Sequence, residues 1–95
     1  MLRRRGDMID VRKIDEQTFE VAVEGHTKTI HRVTVTPQTY QKLTGGEFPI
    51  ETLIEKSFEF LLEREPNTSI LRSFDLPVIG RYFPEYERII RGMLE

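Results

Sequence analysis

"TFEVAVEGHTKTIHRVTVT", residues 18–36, decides the fold class. Phe19, Val21 and Val23 alternate with Glu20, Ala22 and Glu24. After the turn Gly25-His26-Thr27, His31, Val33 and Val35 alternate with Arg32, Thr34 and Thr36. Period-two alternation bounded by turn residues marks half-buried strands. Upstream, Ile9 and Val11 alternate with Asp10 and Arg12, and "DEQ" (15–17) supplies another turn. The pattern predicts a three-stranded antiparallel meander. Ile30 breaks the parity of the third strand, so a bulge or local twist is expected beside the second turn.

Helical signals follow. Thr36 suits an N-cap, Pro37 the first turn, and Gly45-Gly46 a stop, giving a two-turn helix. In "FPIETLIEKSFEFLLEREP" (48–66), Ile50, Leu53, Ile54, Phe58, Leu61 and Leu62 recur at helical spacing between Pro49 and Pro66. "NTSILRSF" (67–74) reads as a linker. Asp75 is expected to cap a short helical turn containing Pro77. "PEYERIIRGMLE" (84–95) reads as a last helix with Glu87 and Arg91 as an i, i+4 pair. The expectation is therefore an α+β fold: a three-stranded antiparallel meander followed by three to four helices packed on one sheet face. Residues 8–95 are expected to form the single domain, and residues 1–7, "MLRRRGD", which lack apolar pattern, a flexible tail.

At 95 residues, with 38% apolar and 32% charged residues, the chain suits one small globular domain and is too apolar for a disordered one. It has no cysteine, which removes disulfides and thiolate chemistry. No apolar stretch follows the basic start and no run reaches membrane length, so a cytoplasmic protein is expected. Without a secretory signal, the sequon Asn67-Thr68-Ser69 carries no weight.

Catalytic and metal motifs are sparse. His26 falls in a turn and His31 on a strand, a spacing that separates the only two histidines. Ser57, Ser69 and Ser73 lack a nucleophile motif, and Gly45-Gly46 lacks the lysine of a phosphate loop. No cofactor and no catalytic residue are expected. A small enzyme would need His31, Arg72, Arg81 and Asp75 to converge.

The charge is uneven. Residues 43–65 carry 2 Lys/Arg against 6 Asp/Glu, whereas residues 66–95 carry 4 of each. Glu51, Glu55, Glu59 and Glu63 form an acidic ridge, an ordinary solvated face or a surface for a basic protein partner. "HRVTVTPQTYQKLTGGEFPIETLIEKSFEFLLERE" (31–65) resembles ribbon-helix-helix DNA-binding proteins. That resemblance implies a strand pairing across a dimer, with Arg32 and Thr34 as the DNA-contacting residues. Glu47 and Glu51, at the helix start that would approach phosphate, run against it. "LIEKSFEFLLEREPNTSILRSFDL" (53–76) and "RYFPEY" (81–86) look like a group of small prokaryotic proteins of unassigned function. This second resemblance implies a compact cytosolic domain and no activity.

"FDLPVIGRYFPEY" (74–86) crowds aromatic bulk between prolines. Either it plugs the core or it presents Tyr82, Phe83 and Tyr86 as an interface. The expected function is a small, non-catalytic interaction module that self-associates as a homodimer, through the free edge left by the third strand. DNA binding is the alternative, and an enzyme with an unrecognised site the second alternative.

Overall fold

The structure, a computed structural model of the chain, describes residues 8–95. The tail assigned to residues 1–7 lies outside them. The fold is α+β. Strands β1 (Met8–Lys13), β2 (Thr18–Glu24) and β3 (Lys28–Thr34) form the expected antiparallel meander. Helices α1 (Pro37–Thr44) and α2 (Ile50–Leu62) follow. After a single 3₁₀ turn (Asn67–Ser69) come β4 (Ser73–Asp75), α3 (Val78–Tyr82) and α4 (Tyr86–Leu94).

Alternation sets the sheet's two faces. Phe19, Val21, Val23, His31 and Val33 are buried against the helices, while Glu24, Lys28, Ile30 and Arg32 face solvent. The β2–β3 register runs unbroken from Thr18 opposite Thr34 to Glu24 opposite Lys28. No bulge relieves Ile30. It lies exposed on the outer face opposite Ala22, because parity, once set by the buried residues, carries every intervening side chain outward.

Three features depart from the sequence reading. First, the linker contains β4, which pairs parallel to β3 with Val33 opposite Phe74. The order is β1-β2-β3-β4, so β3 is covered over Arg32–Thr34 and, among the described residues, the free long edge is β1. Parallel pairing requires a crossover, here supplied by α1 and α2. Second, Asp75 caps nothing: Pro77 occupies the cap position of α3 without a side-chain bond, and the Asp75 carboxylate accepts a hydrogen bond from the Thr34 hydroxyl. Third, Glu87 does not pair with Arg91. It meets the Lys42 ammonium at 3.0 Å, and Arg91 donates to the Lys42 carbonyl at 3.1 Å, so both residues tie α4 to α1.

Capping holds the first helix as the sequence predicts. The Thr36 hydroxyl accepts from the Thr39 amide, and Gly45 takes the left-handed conformation at φ 69°, returning its amide to the Gln41 carbonyl. Helix α2 is the core's spine. Leu53, Ile54, Phe58, Phe60 and Leu61 are buried beneath the sheet and α4. Each large apolar side chain buried there is worth about 1.5–3 kcal/mol.

Candidate functional site

The stretch from 74 to 86 divides its aromatic residues by packing partner. Tyr86, the first residue of α4, is 1% exposed. Its ring meets Phe60 edge-on at 5.2 Å between centroids, and its hydroxyl lies 2.6 Å from Ser57 Oγ. Burial pushes its phenol well above the ordinary tyrosine range. Tyr86 was expected at an interface; in the folded chain its side chain is packed in the core. Phe83 is half-buried, edge-on to Phe60 at 5.8 Å. As the residue before Pro84 it is extended, at φ −131° and ψ 90°, which turns its ring sideways between α3 and α4. Tyr82 is 66% exposed.

Tyr82 and Phe83 border a groove of about 220 Å³, open on one side. Leu61, Ile70 and Ile79 make its buried base. Phe74, Val78 and Phe83 are half-buried in its walls. Leu71, 46% exposed, and Tyr82 stand at its rim. Ser69, Glu65 and the Tyr82 hydroxyl bring side-chain polarity. Burial raises the Glu65 carboxyl above the usual range, and among the described residues no cation lies within ion-pair distance of it. The neighbouring Arg64 is already engaged. Its guanidinium stacks over Phe60 at 3.7 Å, donates to the Phe60 carbonyl at 2.9 Å and reaches Glu85 at 3.4 Å. The sequence showed Ile70, Leu71 and Phe74 as apolar residues of a linker. That they meet α2 and α3 around one groove depends on β4, which has no sequence signal of its own.

The residues proposed for other functions lie elsewhere. His31 is 1% exposed and points into the core against Phe58, with ring centroids 5.4 Å apart. Its Nδ1 is 2.7 Å from the Leu71 carbonyl, which can only accept, so Nδ1 carries the proton. Nε2 then accepts from the Thr29 hydroxyl at 2.9 Å, and Thr29 in turn accepts from Asn67 Nδ2 at 2.9 Å. Burial lowers the His31 pKa, with the Arg72 charge adding to the effect against the opposing Leu71 bond. The neutral imidazole thus holds β3 to the 67–71 segment. Asn67 is buried and also donates to the Thr27 carbonyl at 2.9 Å, which commits the asparagine of the sequon to structure. Arg72, Arg81 and Asp75 are exposed, and none of the four enzyme candidates lines the groove. Among the described residues no group of three or more His, Asp or Glu side chains could hold a metal ion.

Arg32 is exposed and Thr34 half-exposed on the outer sheet face, as the ribbon-helix-helix resemblance requires. Their strand, however, is paired on both sides within one chain over Arg32–Thr34. Glu20 stands between Arg32 and Arg12 across the sheet and forms an ion pair with Arg12, so positive charge does not accumulate there among the described residues. Glu51, Glu55 and Glu63 of the acidic ridge are exposed, and Glu59 binds Lys56 at 3.4 Å. Among the described residues no helix is long and apolar enough to cross a membrane. No family model matches the chain, and no curated protein or solved structure matches it.

Proposed function

We propose that this chain is a small, non-catalytic interaction module that self-associates and offers the groove beside α3 to an apolar protein segment. The observation that carries this is the Leu71–Tyr82 rim. Two of the large apolar side chains left exposed by the fold stand over a groove whose base is fixed core. Glu65 is the one carboxylate among its lining residues, which favours an occupant with a cation next to its apolar side chain. DNA binding draws less support, because β3 is paired on both sides and Arg32 faces Glu20.

Two measurements test the proposal. Sedimentation equilibrium at high micromolar concentration is expected to show a dimer, and a clean monomer would refute self-association. Titration of the ¹⁵N-labelled chain with N-acetyl-leucyl-arginine amide is expected to shift amides between residues 65 and 83, with Tyr82→Ala weakening the response. No shift at millimolar peptide, or shifts unaffected by Tyr82→Ala, would refute the groove's role.

A further inference from the structure

We propose that the outer edge of β1 is the self-association surface, on which a second copy of this chain adds its own β1 antiparallel, centred on Val11. This rests on the self-association reading above and names its surface and register.

The hydrogen-bond ladder decides which residues face the edge. The Val35 amide donates to the Gln17 carbonyl at 2.8 Å, so odd-numbered residues of β2 bond to β3. The even-numbered residues of β2 therefore bond to β1, and the Ile14 amide does donate to the Thr18 carbonyl at 2.8 Å. In β1 the even positions are thus used within the sheet. Ile9, Val11 and Lys13 aim their N–H and C=O groups outward, where no partner is present among the described residues. The opposite edge, β4, is only three residues long. An edge of this kind is a template for another strand.

Side-chain charge then selects the register. Satisfying the outward groups requires odd residues to face odd residues. Centring the pair on Asp10 would set Asp10 against Asp10 of the second copy. Centring it on Arg12 would set Arg12 against Arg12. Like charges directly opposite one another destabilise a sheet. Centring on Val11 puts Asp10 opposite Arg12 of the second copy, twice by symmetry. Within its own sheet Asp10 faces Ala22 and has no ion pair among the described residues, so it is free for this contact.

The same register places Met8 opposite Ile14 at both ends. These are two of the large apolar side chains the fold leaves exposed, at 66% and 44%. On the inner face, half-buried Val11 meets Val11 of the second copy, extending the core across the junction. Charges on an edge ordinarily discourage pairing with unrelated strands. Here they are self-complementary in one register.

The test is a charge swap read by sedimentation equilibrium, with circular dichroism confirming that each variant folds. Asp10→Arg makes both positions basic, and Arg12→Asp makes both acidic. Each variant alone is expected to dimerise at least about tenfold more weakly, as attractive pairs become repulsive. An equimolar mixture is expected to recover wild-type association. Separately, Val11→Cys supplies a single thiol in a cysteine-free chain. Hydrogen-bonded antiparallel pairs have Cα atoms ~5.5 Å apart, within disulfide range, so oxidation is expected to cross-link it. Ile9→Cys, ~13 Å from its symmetry mate at strand rise, is expected not to cross-link.

A wild-type dimer unaffected by Asp10→Arg overturns the β1 junction while leaving self-association standing. Loss of association in both variants without recovery in the mixture overturns the register. A wild-type monomer overturns self-association itself, and this junction with it.

Discussion

The hydroxyl pair between α2 and α4 allows a worked prediction. Ser57 Oγ donates its one proton to the Leu53 carbonyl at 2.8 Å. The 2.6 Å contact with Tyr86 must then be donated by the tyrosine. Ser57 is 0% and Tyr86 1% exposed, so water does not compete. Ser57→Ala leaves the Tyr86 O–H without its acceptor, which costs about 1–3 kcal/mol. Tyr86→Phe removes the donor while Ser57 keeps its bond to Leu53, a loss of about 0.5–1.5 kcal/mol. In the double variant no donor is stranded. Its cost should fall below the sum of the singles by roughly 1 kcal/mol, as for residues in direct contact. Urea denaturation at constant slope reads these differences. The thermal midpoint should drop by about 4–8 °C per kcal/mol for a domain of this size. Additive costs, or a Ser57→Ala effect smaller than that of Tyr86→Phe, would refute the assigned bond direction.

Three further outcomes are expected. Because burial lowers the His31 pKa below its unfolded value, the unfolded chain binds more protons between the folded pKa and about 6.5. Stability should therefore fall as pH drops through that window, and His31→Gln should flatten this part of a denaturation series run from pH 7 downward. Asn67→Ala should destabilise by about 1–3 kcal/mol in urea, because the Thr27 carbonyl and Thr29 hydroxyl lose a buried donor. Phe83→Ala should lower the thermal midpoint, since its ring packs edge-on to Phe60, whereas Tyr82→Ala at the exposed rim should change it by less than about 0.5 kcal/mol in equivalent free energy.

Much of the fold was legible because it is local. Residues 18–36 specify both strands and their buried faces, since alternation needs only near neighbours in sequence. Thr36, Pro37 and Gly45 bound α1 through contacts no more than four residues apart. The α2 stripe misses one large core side chain. Phe60 lies beside the predicted stripe yet is fully buried, because α4 covers that flank with Tyr86 and Arg64 covers its ring. The groove was not legible, although the residues at its rim were visible as apolar. Its acidic member, Glu65, reads from sequence as one more acidic residue in an acidic segment.

The sequence by itself determined the meander, its buried faces and the bounds of α1, each governed by backbone preferences and periodicities within a few residues. Tertiary structure alone decided β4, and with it the groove and the free edge. A three-residue strand has no period to read, and its parallel partner lies 41 residues away in sequence. The three rings at 82, 83 and 86 show the same division. Their chemistry is nearly alike, and only contact with Ser57, Phe60 and Arg64 separates core from rim. Burial is a property of the surface an element meets, and that surface comes from other parts of the chain.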